Sequence, residues 1–209
     1  GIEPGDILLE KTPFRLTDAF IPGHWGHVAM WVGNESELRE LGIWNHPVVR
    51  RYQRQIGEGK AVVEALRSGV EMNTLTNFLN VDDTAVLRQN DLSPAQRAEV
   101  VIQALRQVGK AYDFNFDVES TDKIVCSELV YHAYTHIKWP TVKHVGRATI
   151  SPDNVAVRSL GDGPLSVALL YHDGSEVSDN QGGVMASLVL KPKTRALRED
   201  RMIEPRITH

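Results

Sequence analysis

Short apolar runs bounded by turn residues dominate the first part of the chain. "DILLE" (6–10) follows a Pro–Gly turn and predicts a first strand, and "HVAMWVG" (27–33) predicts a second that ends at glycine. "AVVEAL" (61–66) and "TAVLR" (84–88) predict two more. The charged stretch 34–59, interrupted by Pro47, predicts a partly helical connection. The period then changes. In "LSPAQRAEVVIQALRQVGK" (92–110), Val101, Ala104, Leu105 and Val108 fall at i, i+3, i+4 and i+7, one buried stripe of a helix. Ser93 suits the N-cap, Pro94 the first helical position and Gly109 the C-terminal turn. A second helix is predicted from Cys126 to about Ile137, where Val130, Ala133, Tyr134 and Ile137 repeat the spacing and Pro140 ends it. "ISPDNVAVRSL" predicts a short helix. "LSVALLYH" (165–172) and "GVMASLVLK" (183–191) predict late strands joined by the polar loop "DGSEVSDNQG", and the charged tail from Pro192 is expected to fray. No internal repeat occurs. Strands and helices do not alternate regularly, so the pattern predicts an α+β fold with a largely antiparallel sheet.

Composition narrows the classes. The 209 residues are 42% hydrophobic and 24% charged, as in an ordinary globular protein, and are read as one domain over 1–209. A net charge of −4 without long Lys/Arg runs argues against nucleic acid as a partner. No apolar stretch approaches the roughly 18–20 residues of a membrane span. The single cysteine forms no internal disulfide and so leaves the redox compartment open. The chain starts at Gly1; a signal or anchor segment removed before it would place the protein in the periplasm or cell envelope, and otherwise it is expected in the cytoplasm.

That cysteine carries the first candidate chemistry. At a helix start, unpaired backbone N–H groups and the helix dipole favour an anion, which promotes the reactive thiolate. Cys126 also shares a face with Leu129, Val130 and Ala133, and on helix position alone simple packing is the favoured reading. A thiol nucleophile needs a base, and the base an orienting group. His27 opens a strand, where an imidazole is held rigidly, although strand-end histidines are also commonly structural. Glu64 shares a strand face with Val62 and Leu66; buried there, a carboxylate needs a partner, whereas on an edge strand it would face water. Taken together, base, carboxylate and thiol make up a thiol hydrolase triad.

The order "GDILLE … WGHVAMWVG … VVEAL … VLR … GKAYDFNFD … CSELVYHAY … SPDNV", running from Gly5 to Asn154, resembles the permuted papain-fold hydrolases of the YiiX/YebB type. These are relatives of the NlpC-type cell-wall peptidases and, more distantly, of the lecithin–retinol acyltransferases. In this group the histidine strand precedes the cysteine helix, as here. The resemblance implies His27 as base, Glu64 as the residue orienting it and Cys126 as nucleophile. Tyr112 is implied as a hydroxyl near the thiol that donates to the oxyanion. Trp25, Trp31 and Ser127 are candidates to line the cleft. Asp113 and Asp117 are expected to fix their loop, and Gly26 stands where many relatives have serine. Residues 155–209 are expected to form an extension that closes or lines the groove. The implied substrate is a small peptide-like amide, such as a cell-wall muropeptide. A lipid ester with acyl transfer is the alternative, as is a binding module that has lost turnover. No cofactor and no metal are expected. His24 with His27, and His132 with His136 at i+4, have spacings that can hold zinc, but a strand splays the first pair and the second lacks an acidic motif. "GDGPLS" and "NQGG" are read as turns.

Overall fold

The computed structural model describes residues 1–11, 23–112, 123–144 and 147–190. Asp113, Asp117 and the tail from Pro192 lie outside the described residues. Along the chain the elements are β1 (Ile7–Lys11), β2 (His27–Trp31), α1 (Glu35–Glu40), α2 (Pro47–Arg50), α3 (Gln53–Gly57), β3 (Lys60–Leu66), β4 (Gly69–Thr74), α4 (Leu75–Phe78) and β5 (Asp83–Arg88). There follow α5 (Pro94–Leu105), β6 (Ala111–Tyr112), β7 (Lys123–Ile124), α6 (Cys126–Ala133), β8 (Val142–His144), β9 (Arg147–Thr149), α7 (Pro152–Ala156), β10 (Ser166–His172), β11 (Ser175–Glu176) and α8 (Gln181–Val189).

Seven strands form one sheet in the order β11-β10-β5-β1-β2-β3-β4, and neighbours in it run antiparallel. The fold is thus α+β, as the irregular order of elements predicts. Strand β1 is central, and its run "ILLE" is apolar at successive positions because both faces of the sheet are covered. Ile7 and Leu9 join the main core with Val28, Met30, Val63, Ala85 and Leu87; Val101 and Leu105 of α5 and Leu129 and Val130 of α6 belong to the same core. Leu8, Ala29, Val62 and Val86 enter a smaller cluster around Phe78. The period of two along each strand divides the layers.

Helix α5 has both halves of a capping box, Gln96 N–H to Ser93 Oγ and Ser93 N–H to Gln96 Oε1, with Pro94 in its first turn. It ends at Leu105, and the apolar stripe outlasts it: Val108 packs on the core from the turn beyond. Helix α6 likewise stops at Ala133, short of the expected Ile137. Tyr134 leaves the helix to donate its hydroxyl to Gly5 O at 2.7 Å, and Trp139 Nε1 donates to Tyr134 O at 3.2 Å. Tyr134 and Ile137 are buried by a packed turn, which satisfies the same spacing without helical hydrogen bonds.

Three expectations are corrected. Residues 183–191, expected as a strand, lie mostly in helix α8, whose start is capped by Asn180 Oδ1 accepting from Gly183 N–H at 3.2 Å. A short apolar run does not by itself distinguish a buried strand from a helix, and Met, Ala and Leu favour the latter. Strand β4, "GVEMNT", lies outside the expected strands because its apolar signal is broken by Glu71 and Asn73. The expected loop after His172 begins as a two-residue hairpin: Asp173 (φ 49°) and Gly174 (φ 78°) turn β10 into β11.

The β3–β4 hairpin also fixes the chain beyond α5. Gly69 has φ 123°, and a Cβ there would meet Lys110 O at 2.7 Å. That close approach allows Val70 N–H to donate to Lys110 O and Gly109 N–H to Val70 O, both at 2.8 Å. The backbone is thereby held as it enters β6 and Tyr112.

Candidate active site

His27 is the first residue of β2, opposite Glu10 of β1. Glu64 of β3 lies opposite Ala29, so the pleat puts His27 and Glu64 on one face, diagonally adjacent. His27 Nε2 and Glu64 Oε2 are 2.8 Å apart, with both side chains buried. Glu64 Oε1 accepts from Asn73 Nδ2 at 2.9 Å, and Asn73 comes from β4. Glu64 therefore lies in a strand flanked on both sides, with each carboxylate oxygen engaged, and does not face water from an edge. Phe78 packs against the imidazole, ring centroids 6.3 Å apart.

Cys126 begins α6, buried at 3% exposure, and α6 packs on β2 and β3. The thiol lies close enough to the His27 ring to act on its protonation. With Nε2 committed to Glu64, Nδ1 is the ring nitrogen left for sulfur. Burial pulls the His27 pKa down, but hydrogen bonds to Cys126 and Glu64, with the negative charges of Cys126 and Glu10, outweigh it and raise the value to about 10. The imidazole is thus held as its cation at neutral pH, between Cys126 and the Glu64 carboxylate. Helix α6 is anchored at its start by Glu128 Oε2, which accepts from Val125 N–H at 2.9 Å. Replacing Glu64 by Gln removes one of those partners, and the His27 pKa read by NMR is expected to fall by about one unit or more.

Tyr112 is half-buried against the main core and pairs in parallel with Ile124, two residues before Cys126. That pairing brings its strand alongside the approach to the nucleophile helix. Ser127 is buried and donates to Ile150 O at 2.6 Å, tying α6 to the segment before α7. Trp25 has no exposed surface and belongs to the main core, so packing is the role its position gives it. Trp31 is partly exposed, and its Nε1 donates to Glu37 Oε2 at 3.3 Å. His132 and His136 do not share a helix, since α6 ends between them; His136 Nε2 lies 2.8 Å from Gln89 Oε1.

Several residues here lie outside the sequence-based expectations. Asn73 completes the Glu64 carboxylate. Asp153, within the "SPDNV" motif, accepts from His24 N–H (2.9 and 3.0 Å) and Trp25 N–H (2.8 Å), so α7 clamps the chain just before the base. His24 in turn meets Asp83 and His172. The only signal for these was a polar residue at a strand end or helix start, which many surface positions share.

A sulfur at a helix start facing a strand-borne imidazole, with a carboxylate behind the ring, is the arrangement of papain-like thiol hydrolases; here the histidine strand comes first in the chain, which is the permuted order. A family model for the permuted papain-like amidases of the YaeF/YiiX type, peptidase family C92, matches residues 1–197, and the chain belongs to that family. The match extends past Asn154, in keeping with β10 being a full member of the main sheet. Among solved structures, the crystal structure of the metalloprotein YiiX from Escherichia coli O157:H7 is similar in fold. It has a TM-score of 0.57 and 21% identity, and the alignment covers 81% of this chain and 98% of that one. A comparison with curated proteins found no match. Among the described residues, no helix is long and apolar enough to cross a membrane.

Proposed function

We propose that this papain-like amidase cleaves a small peptide-like amide, of the kind found in cell-wall muropeptides, through an acyl-enzyme on Cys126. The observation that carries the reading is the His27 ring held between the Cys126 sulfur and the Glu64 carboxylate. The Cys126 thiolate attacks the amide carbonyl, forming a C–S bond. The negative oxygen that develops is met by the Tyr112 hydroxyl and backbone N–H groups at the start of α6. His27 gives its proton to the departing nitrogen as the C–N bond breaks, leaving a thioester and a neutral imidazole. Water then loses a proton to His27 and attacks the thioester; the C–S bond breaks, the acid leaves and the thiolate–imidazolium pair is restored. Glu64 keeps the ring oriented throughout and stabilises its cationic form.

The test is to trap the intermediate. A small activated peptidyl ester or anilide mixed with the enzyme and quenched in acid is expected to add one acyl mass to the peptide containing Cys126, read by mass spectrometry. Discharge of that acyl group is then timed in water alone and with an amine or a lipid alcohol present. Equal rates support hydrolysis; acceleration by the lipid alcohol would assign the enzyme to acyl transfer instead. No acyl adduct, with product still forming, would remove the covalent mechanism.

A further inference from the structure

On the sheet between β5 and β10, two strands across from the base, a second polar cluster is assembled. Asp83 opens β5, His172 closes β10, and His24 lies in the segment leading to β2. His24 Nε2 is 3.0 Å, and His172 Nδ1 3.1 Å, from the same oxygen, Asp83 Oδ2. The Asp83 side chain is 6% exposed and that of His24 10%. Both nitrogens are buried, yet neither makes a hydrogen bond, despite those distances. Two imidazole nitrogens thus converge on one carboxylate oxygen without the directionality a shared proton requires.

We propose that His24, Asp83 and His172 bind one divalent d-block cation, such as Zn²⁺. The donor set, two imidazoles and a carboxylate, suits such ions and leaves a coordination position for water. Metal–ligand bonds of about 2.0–2.2 Å in a tetrahedral shell separate ligand atoms by roughly 3.3 Å. The three ligand atoms here all lie within 4.8 Å of one another, so small side-chain shifts complete the shell. The supporting contacts are also those of a metal site. Asp83 Oδ1 accepts from Asp173 N–H at 3.3 Å, and His172 Nε2 faces Asp173 Oδ2 at 3.5 Å, which directs the Nδ1 lone pair inward. The His24 backbone is held by Asp153. Lys11 Nζ, 3.8 Å from Asp83 Oδ2 on a side chain 43% exposed, is the competing cation and swings to solvent when the metal binds. The bound ion would join the segment just before His27 to β5 and β10, making it a staple for the strand that carries the base.

Metal binding at this cluster is independent of the thiol chemistry and can be measured directly. Chelator-treated protein is titrated with Zn²⁺ by calorimetry, and with Co²⁺ while its visible absorption is recorded. One equivalent is expected in the wild-type protein and in Cys126→Ser, with a rise in melting temperature. His172→Ala and Asp83→Asn are each expected to weaken binding by about 100-fold or more and to abolish the Co²⁺ spectrum. His24→Gln serves as a third variant, and circular dichroism confirms that each is folded. No stoichiometric binding by the wild type would overturn the assignment. So would binding that survives all three ligand variants, or that is lost only in Cys126→Ser.

Discussion

Replacing Cys126 by alanine is expected to lower kcat for amide hydrolysis by about 10⁴-fold or more, some 5.5 kcal/mol of transition-state stabilisation, with little change in KM. The sulfur forms and breaks the bond to the acyl group, so nothing else in the site substitutes for it. Serine at the same position is expected to be nearly as poor. The imidazolium cannot deprotonate a hydroxyl that stays neutral where a thiol ionises. The fold should survive either change, because the sulfur is one small buried atom group beside a large core and Leu129 and Val130 carry the packing of α6. Denaturation midpoints measured beside the rates separate the two effects. Residual turnover within tenfold of the wild type would end the nucleophile assignment.

The second large effect concerns the pH dependence of thiol reactivity. Free cysteine, with a pKa of about 8.5, alkylates roughly 200-fold faster at pH 9 than at pH 6, in proportion to its thiolate fraction. For Cys126 acting as the proposed nucleophile, the iodoacetamide rate is expected to change less than about tenfold over that interval, because the His27 cation beside it persists across it. His27 sets the sign. Its pKa is raised from 6.5 to about 10, so the stability that the protonated ring draws from its partners is fully present below pH 6.5 and is lost as pH rises through about 10. In His27→Ala the steep profile of an ordinary thiol should return. Since Cys126 is nearly enclosed, the ratio of rates at two pH values is the informative quantity; absolute rates also carry the cost of access. A steep profile in the wild-type protein would dissolve the ion pair.

Much of this was readable in one dimension because strands and caps are local. The alternation in "HVAMW" put His27 on a defined face, and "AVVEAL" marked Glu64 as a carboxylate in an apolar strand. The capping residues around Pro94 marked the start of α5 to the residue. The elements that escaped were those whose identity depends on a neighbour. Strand β4 has a weak apolar pattern and is a strand because β3 offers it a ladder of hydrogen bonds. The run 183–189 is a helix because Asn180 caps it and its backbone satisfies itself, while the apolar pattern serves either state.

The sequence alone determined the residue types that this chemistry needs and the order in which they appear: an imidazole on a strand, a carboxylate on another, a thiol opening a helix. Their convergence was a matter of register. A slip of one residue between β2 and β3 would have turned Glu64 to the opposite face, and no local pattern specifies that pairing. The same applies to Asn73 behind Glu64, to Asp153 beneath residues 24 and 25, and to the trio of His24, Asp83 and His172. Asn73 reaches Glu64 across the β3–β4 hairpin. The Asp153 contacts and the His24–Asp83–His172 trio instead join positions far apart along the polypeptide, brought together by the packing of α7 and the antiparallel pairing of β10, β5, β1 and β2.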